Sequence, residues 1–262
     1  MMNENLQKII DHENELWSHI FRKKLVNDKQ NPKKFSSYWD EKYYKEVTDY
    51  VNSLFSKYHY STLLEEGSGS GRSSILLNSS INKTLFDISQ DALEYAKHIS
   101  KKFNVENVKF VVGDIFQLPF KEQMFDFIWS IGVIEHYNIL DIQDVFKEAV
   151  RVTKPNGMIA FGVPNFYSGP ILKAWILRYM PKSISVYRLG TENFYKEKVL
   201  EDALVDVAKK EGRDIEYLEV KYFGNPLPVE SPIWMISSIG KILEILFTKN
   251  KFIMMIFCKF KN

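Results

Sequence analysis

The segment at residues 61–77, S-T-L-L-E-E-G-S-G-S-G-R-S-S-I-L-L, constrains the fold more than any other part of the chain. A short apolar run ends at Glu65, three glycines then alternate with serines, and a second apolar run follows. Glycine permits positive φ and close approach of a ligand, and a helix beginning there offers unpaired N–H groups. The pattern predicts a strand, a tight turn and a helix that bind a ligand, or else a flexible Gly/Ser loop. The loop residues predicted to contact that ligand are Gly67, Ser68, Gly69 and Gly71.

The spacing of the glycines distinguishes between two nucleotide-type ligands. Dinucleotides favour G-x-G-x-x-G, but Arg72 occupies the position of the third glycine, which comes one residue early at Gly71. Glu65 lies two residues before the first glycine, where a carboxylate would repel a pyrophosphate. A carboxylate favours a cationic ligand instead, and S-adenosylmethionine carries both an ammonium and a sulfonium group.

Composition limits the classes of protein to consider. A chain of 262 residues with 45% hydrophobic residues is long enough for one full domain with additions. The net charge of +2 provides no broad electrostatic footprint for nucleic acid, so no nucleic-acid partner is expected. The single cysteine, Cys258, lies in an apolar run, which indicates a buried structural thiol and excludes a disulfide within the chain.

The start of the chain and its apolar runs bear on localisation. Residues 1–12 are polar and acidic, unlike a secretory signal. No apolar run is long enough to span a bilayer without a charge in it. The expectation from the sequence is a cytoplasmic protein.

The first 58 residues show the spacing of helices. Apolar residues recur at helical intervals in two stretches, with Asn31-Pro32 as the break between them. The aromatic segment F-S-S-Y-W-D-E-K-Y-Y at residues 35–44 precedes the glycine loop. Its rings either pack the added helices onto the core or, as the family resemblance described below implies, fold over the ligand as part of a lid, and the sequence does not decide between these roles.

Three further strands are predicted after the loop, and each ends in a polar residue. Asp87 follows a short apolar strand about 20 residues beyond the glycines, where folds of this topology hold a ribose hydroxyl pair. Ser89 caps the next helix in this prediction and leaves Asp87 free. The run N-V-K-F-V-V-G-D, predicted to be a strand buried on both faces, ends at Asp114, and the next strand ends at Ser130.

These motifs resemble those of class I S-adenosylmethionine-dependent methyltransferases over roughly residues 60–165. The chain carries E-x-G-x-G-x-G, V-x-G-D-x-x-x-L-P-F and R-x-x-K-P-N-G, with Asn156 where the family has glycine. The resemblance implies a doubly wound α/β fold with a seven-stranded, mostly parallel sheet, and S-adenosyl-L-methionine as cofactor. It implies that Asp114 and Ile115 bind the adenine. The full set of cofactor contacts predicted is Glu65, Gly67, Ser68, Gly69, Gly71, Asp87, Ile88, Asp114, Ile115 and Ser130.

The domain prediction is a helical extension or lid at 1–58 and a methyltransferase domain at 59–262. Two apolar insertions are expected, at about 166–190 and 223–250. The first contains a helix between Pro170 and Pro181, and the second separates a sixth strand at 215–222 from a seventh at 252–260. An insertion of this length is unusual because a hairpin normally joins these two strands in the family.

His136 is the candidate catalytic base, since it follows the fourth strand and should face the carboxyl edge of the sheet. The alternative is that it packs over the cofactor or caps a turn. Ubiquinone-pathway O-methyltransferases resemble this region but carry E-x-x-E-H, whose acids and histidine are associated with a metal. Gly132 replaces the first acid here, which leaves Glu135 and His136, and two ligands seldom suffice for a metal. No metal is therefore predicted.

The predicted function is methyl transfer from S-adenosylmethionine to oxygen or nitrogen of a small or lipid-like acceptor. The apolar insertions would form an acceptor pocket, rest on a membrane surface or make a homodimer interface. Two alternatives come from other classes: a nicotinamide-dependent oxidoreductase of the same topology, and a non-catalytic protein that retains the fold.

Overall fold

The computed structural model describes residues 4–30, 33–179, 190 and 192–262. The helices are α1 (Glu4–Gln30), α2 (Tyr38–Tyr58), α3 (Arg72–Ile75), α4 (Gln90–Lys102), α5 (Ile139–Val152), α6 (Gly169–Leu177), α7 (Glu197–Lys210), α8 (Ile233–Met235) and α9 (Lys241–Leu246). The strands are β1 (Thr62–Glu66), β2 (Asn82–Asp87), β3 (Val108–Val112), β4 (Phe125–Ile131), β5 (Thr153–Pro164), β6 (Ile215–Phe223) and β7 (Ile253–Phe260).

The strands form a seven-stranded sheet in the order β3-β2-β1-β4-β5-β7-β6. The first five in space are parallel, and β7 is antiparallel to both β5 and β6. The predicted mostly parallel α/β fold is therefore confirmed. The direction of strand succession reverses between β1 and β4, where Glu66 pairs with Ser130. Such a reversal opens a crevice at the carboxyl ends of the strands, where ligands bind in folds of this kind.

Apolar residues cover both faces of the sheet. On one face, Leu64 and Ile128 belong to the cluster that α5 and α7 complete. On the other face, Leu63 and Phe127 pack with α2, whose Val47 is fully buried. Adjacent residues of one strand thus serve opposite faces, as the alternation of side chains along a buried strand requires.

The N-terminal helix α1 packs along α4. Asp28 accepts hydrogen bonds from Lys102 at 2.8 Å and contacts His98 at 2.8 Å, while Arg22 pairs with Asp91 at the surface. The Lys102 and His98 side chains keep the pKa of Asp28 below its usual range although burial opposes them. The ion pairs and an apolar contact through Phe21 hold α1 beside the glycine loop.

Strand β3 differs from its prediction. A strand buried on both faces was expected, but β3 lies at the edge of the sheet with β2 as its neighbour. Lys109 is exposed and Val112 is 48% exposed, because an edge strand is covered incompletely. The apolar run N-V-K-F-V-V does not reveal its position in the sheet, since edge and central strands share β-branched residues.

The structure also bears on several local predictions. The helix predicted after the glycine turn is short, a single turn at Arg72–Ile75. Asn156 adopts a left-handed conformation with φ +59°, as its place in the turn predicts. The predicted break at Asn31-Pro32 and the predicted helix end at Pro181 lie outside the described residues.

The connection between β6 and β7 is helical. It contains α8, a π-helical turn at Ile236–Gly240, α9 and a 3₁₀ turn at Thr248–Asn250. Several large apolar side chains of this connection are exposed. They are Ile233, Trp234, Ile239, Ile242, Ile245, Leu246 and Phe247. Among the described helices, none combines the length and apolar character that crossing a membrane requires.

Candidate active site

A cavity of about 380 Å³ opens at the carboxyl ends of β1, β2 and β4. This volume lies in the range of small-molecule sites. Its wall is built from the glycine loop, the ends of these strands, the 3₁₀ turn at Ile134–His136, and side chains of α1 and α2. The cavity therefore lies at the crevice that the sheet topology predicts.

The glycine loop passes close to its neighbours. Gly67 and Gly69 have φ values of +61° and +52°, which favour glycine. A Cβ atom at Gly67 would overlap the side chain of Val133, and one at Gly69 would lie 2.9 Å from Phe21. The N–H of Ser68 donates to the carbonyl of Phe86 at 3.0 Å, which ties the loop to β2. The backbone thus forms one wall of the cavity without room for larger side chains.

Asp87 connects the end of β2 to the glycine loop. Its carboxylate accepts the backbone N–H of Gly69 at 2.7 Å and that of Ser89 at 2.8 Å. Burial nevertheless raises the pKa of Asp87 to about 6, since it outweighs these two hydrogen bonds. Ser89 caps α4 through the N–H of Ala92, as predicted, so the helix does not use Asp87 as its cap. A carboxylate has about four acceptor positions, so two remain for a ligand.

Glu65 is a buried acid at the bottom of the cavity. Hydrogen bonds from the side chain and backbone of Ser74 favour its charged form, but burial prevails and raises the pKa of Glu65 to about 8. Its Oε2 atom has no hydrogen-bond partner within the described part of the chain. A buried carboxylate oxygen without a hydrogen-bond partner destabilises the folded state unless a ligand or a proton satisfies it. Glu65 is therefore arranged to meet a hydrogen-bond donor or a cation.

Three further predicted residues also line the cavity. Asp114 accepts the N–H of Phe116 at 3.0 Å, and burial raises the pKa of its carboxyl group. Ile115 is buried and follows Asp114 in the chain, and Ile88, which follows Asp87, also lines the cavity. A carboxylate and two isoleucine side chains in one cavity wall provide both a hydrogen-bond acceptor and apolar surface for a flat ring.

Two predicted cofactor contacts, Gly71 and Ser130, do not line the cavity. The position of Gly71 faces Leu85 and Ala96, and any Cβ there would overlap Leu85. Ser130 is buried, and its hydroxyl donates to the carbonyl of Glu66 at 3.0 Å. Gly71 thus permits the loop to pack on β2 and α4, and Ser130 joins β4 to β1. Both shape the site from behind the wall of the cavity.

His136 ends the 3₁₀ turn that follows β4, and it lines the cavity. Its Nδ1 lies 3.6 Å from Oε2 of Glu13, and its ring meets that of Trp17 edge-on with centroids 6.4 Å apart. Glu13 in turn accepts a hydrogen bond from Trp17 Nε1 at 3.0 Å. The imidazole therefore contacts groups of α1 and lines the cavity. Its place in the cavity wall suits a general base, and its contacts with Trp17 and Glu13 suit a packed ring, so both predicted roles remain.

Sequence reasoning missed the contribution of α1 to the site. Glu13, Trp17 and Phe21 all line the cavity. They are spaced four residues apart, so they lie on one face of the helix. A signal was present, because Glu13 interrupts a face of α1 that is otherwise apolar. Within the aromatic segment of α2, Tyr43 and Tyr44 line the cavity as well.

Glu135, like Glu65, is a buried acid of the cavity whose pKa is strongly raised. Its side chain lines the cavity, is only 2% exposed, and has an Oε2 atom with no partner among the described residues. Burial is the main cause that raises the pKa of Glu135 to about 8, and the nearby charges of Glu192 and Glu13 contribute to this shift. No three His, Cys, Asp or Glu side chains in the described ranges are arranged to hold a metal ion.

Known proteins resemble this chain in sequence and in structure. A family model described as a methyltransferase domain matches residues 59–217. A ubiquinone biosynthesis O-methyltransferase of Rickettsia akari is 26% identical over 195 residues, 68% of this chain and 75% of that protein. A ubiquinone/menaquinone biosynthesis C-methyltransferase of Rickettsia bellii is 37% identical over 105 residues, which are 37% of this chain and 42% of that protein.

The fold also has solved relatives. The crystal structure of an S-adenosylmethionine-dependent methyltransferase from Clostridium acetobutylicum superposes with a TM-score of 0.57 and 16% sequence identity. The superposition covers 84% of this chain and 92% of that one. At this level of identity the likeness concerns the fold.

Proposed function

The chain belongs to the methyltransferase domain family and is an S-adenosylmethionine-dependent methyltransferase, and we propose that it methylates oxygen or nitrogen of a small or lipid-like acceptor. The observation that carries the proposal is the convergence on one cavity of the glycine loop, the strand-end acids and His136. Family membership sets aside a nicotinamide-dependent oxidoreductase and a non-catalytic scaffold.

The residues present fit S-adenosylmethionine. Glu65 Oε2 and Ser68 Oγ are buried without partners in the described part of the chain, beside the glycine turn. Glu65 would pair with the ammonium group, and the Gly67–Gly69 backbone would hold the amino-acid end. Asp87 would accept from the ribose hydroxyls through its remaining acceptor positions. Asp114 and the N–H of Ile115 would bind the adenine, with Ile88 packed on its face.

The bound cofactor supplies a methyl group on a positively charged sulfur, which makes the methyl carbon electrophilic. The chain therefore has to position the acceptor atom, exclude water and hold its proton. His136 is the group proposed to take a proton from a hydroxyl acceptor, since it lines the cavity next to Glu13. Glu13, whose Oε2 lies 3.6 Å from Nδ1 of His136, would help to orient the imidazole.

Apolar surface next to the cavity supports an acceptor with a substantial apolar part. Pro164, Phe252 and Ile253 line the cavity where β5 ends and β7 begins. Phe252 also packs against the buried residues of α6, so the wall continues onto that helix. The names of the two Rickettsia relatives refer to ubiquinone biosynthesis, and this agrees with a lipid-like acceptor.

The exposed apolar residues of the two insertions extend this surface. Trp175 and Ile176 of α6 are exposed, as are Trp234 and Ile245 between β6 and β7. We propose that residues 1–58 complete the site, and that the insertions either contact a membrane surface from which the acceptor is taken or form a homodimer interface. Both roles would remove the same apolar side chains from water.

The test is an assay with methyl-labelled S-adenosylmethionine and a lipid and metabolite extract, run beside a measurement of the mass in solution. The proposal expects label in products that partition into organic solvent. The assay is repeated with His136→Ala to test the proposed base. His12→Ala, an exposed change on α1, is the control for this variant. Label found only in polar products or RNA, or a dimer that covers both insertions and the cavity mouth, contradicts the proposed acceptor.

A further inference from the structure

The cavity contains more acidic side chains than the cofactor needs. Six carboxylates and one guanidinium, that of Arg72, line it among the residues that the structure describes. Three of these acids are proposed to bind the cofactor, and the other three lie elsewhere in the wall. They are Glu13, Glu135 and Glu192. S-adenosylmethionine has a net charge of only +1, so the remaining acids define a second, acidic region, which we call the acidic pocket.

Glu135 is the central residue of the acidic pocket. It is 98% buried, and its Oε2 atom has no hydrogen-bond partner in the described ranges. Its backbone is fixed, because the carbonyl of Glu135 accepts the N–H of Asn193 at 2.7 Å and its side-chain amide at 3.1 Å. A buried carboxylate with an unsatisfied oxygen, on a backbone held in this way, is a ready acceptor for an N–H group of a ligand.

Glycine at position 132 also shapes this pocket. Gly132 has φ +74°, and a Cβ there would lie 3.6 Å from Oε1 of Glu135. A larger side chain at this position would reach toward the Glu135 carboxylate and would strain the backbone. The absence of a side chain at Gly132 therefore leaves the space beside Glu135 open to a small ligand group.

Aromatic and apolar side chains adjoin the acids. Trp17 presents its ring beside His136 and Glu13, and Tyr43 lines the same cavity. Aromatic faces attract cations, and the combination of ring and carboxylate is the usual surrounding of a bound ammonium group. Arg72, the guanidinium in the wall, lies over the ring of Tyr44 near the glycine loop.

We propose that the acceptor is an apolar amine whose protonated nitrogen is bound in the acidic pocket, with Glu135 as the principal contact and Glu13 and Glu192 as supporting charges. This inference rests on the proposed function, because it assigns the acceptor of the same cavity. It also selects between the two atoms named there, since it predicts methylation of nitrogen. Acceptors that carry a carboxylate or phosphate next to the reacting atom are disfavoured by repulsion from Glu13 and Glu192, and from Glu135 once it ionises.

The chemistry requires a neutral nitrogen, because an ammonium ion has no lone pair. Proton transfer from the ammonium to the Glu135 carboxylate gives the neutral amine and a carboxylic acid. Glu135 suits this task because burial and its acidic neighbours raise its pKa to about 8, closer to the pKa of an amine than that of an ordinary glutamate. The nitrogen lone pair then forms a bond to the methyl carbon as the carbon–sulfur bond breaks, which yields a methylammonium and S-adenosylhomocysteine.

The experiment compares three probes of one shape on protein saturated with S-adenosylhomocysteine. Phenethylamine is protonated near neutral pH, as lysine is, whereas 2-phenylethanol is neutral and phenylacetate is an anion. Calorimetric titration should show phenethylamine binding at least about 10-fold more tightly than the other two. Its affinity should increase from pH 6.5 to 8.5 as Glu135 ionises.

Two variants test the assignment to Glu135. Glu135→Gln should reduce the preference for phenethylamine by about 10-fold and remove its pH dependence, because it keeps the shape and loses the charge. Glu15→Gln, an exposed change on α1, should keep both. Equal or undetectable binding of the three probes, or a preference that survives in Glu135→Gln, overturns the inference. If one of these results is obtained and the protein still binds S-adenosylhomocysteine, the inference fails and the proposed function stands. If the protein does not bind S-adenosylhomocysteine, the result counts against the proposed function itself.

Discussion

The carboxylate of Asp87 accepts the backbone N–H of Gly69 at 2.7 Å, which joins the end of β2 to the glycine turn after β1. Two motifs 18 residues apart in sequence therefore act as one unit. The same carboxylate is the proposed ribose contact, so binding of the cofactor and the shape of the loop depend on one side chain.

Replacement of Asp87 tests this double role. Asp87→Ala should weaken binding of S-adenosylmethionine by about 1–3 kcal/mol, because charge-assisted hydrogen bonds to the ribose are lost. It should also increase amide exchange at Gly69, whose N–H loses its acceptor. Asp49→Ala, an exposed change on α2, is the matched control for calorimetry and exchange. Unchanged affinity in Asp87→Ala would remove the ribose assignment.

His136→Ala should lower turnover by roughly 10²-fold or more if the acceptor atom is a hydroxyl, with nearly unchanged cofactor affinity. The reason is that a hydroxyl must lose its proton as it reacts, whereas a bound cofactor does not need the imidazole. Turnover at saturating substrate and cofactor affinity are measured separately, with His12→Ala as the control. Lost cofactor affinity with normal turnover at saturation would indicate that His136 packs on the cofactor.

Cofactor binding should release a proton from Glu65. The pKa of Glu65 is raised to about 8 by burial, so the carboxyl is largely protonated at pH 7 before a cation arrives. An ammonium group beside it would lower this pKa and expel the proton. Titrations in two buffers of different ionisation enthalpy measure the release, and Glu65→Gln should reduce it. Equal proton release in wild type and Glu65→Gln would show that Glu65 does not pair with the ammonium group.

Glu66 should make the protein less stable as pH rises. Both of its carboxylate oxygens lack partners within the described ranges, and burial raises its pKa well above the usual value, with Glu148 adding to the effect. The folded state therefore holds a proton that the unfolded state releases near pH 4.5. The stability from this protonation is complete below that pH and is lost as pH rises toward the folded pKa.

Glu66→Gln should accordingly reduce the fall in melting temperature between pH 5.5 and 8.5. Each kcal/mol corresponds to about 2–4 °C in a chain of this size. Cofactor affinity should stay unchanged, since Glu66 does not line the cavity. Glu122→Gln, an exposed loop change, provides the comparison. An identical pH dependence in Glu66→Gln and wild type would contradict this account of Glu66.

The sequence predicts the sheet well because each strand end carries its own local motif. Asp87 and Asp114 could be placed at one edge because parallel strands bring their carboxyl ends together. The position of β3 at the edge could not be predicted, since it depends on which strands pair and not on the strand itself. The break that Glu13 makes in the apolar face of α1 marks it as unusual, but its place at the site depends on the packing of α1 on α4, through Asp28 and Lys102, which the sequence does not show.

Gly71 and Ser130 illustrate a second limit. Both lie in motifs that supply cofactor contacts, but a motif does not state which way each group faces. Gly71 faces Leu85 because the turn packs on β2, and Ser130 binds the Glu66 carbonyl because β4 lies beside β1. Their replacement should affect stability and the shape of the loop more than direct contact with a ligand.

A crystal structure of the complex with S-adenosylhomocysteine tests the central claim most directly. The account predicts the ribose hydroxyls within hydrogen-bond distance of the Asp87 carboxylate and the adenine between Ile88 and Ile115 with its amino group on Asp114. It also predicts the amino group of the ligand next to Glu65, and the sulfur facing His136 and Glu135. A ligand bound outside this cavity, or one whose adenine lies in the acidic pocket with its ribose away from Asp87, would contradict the account.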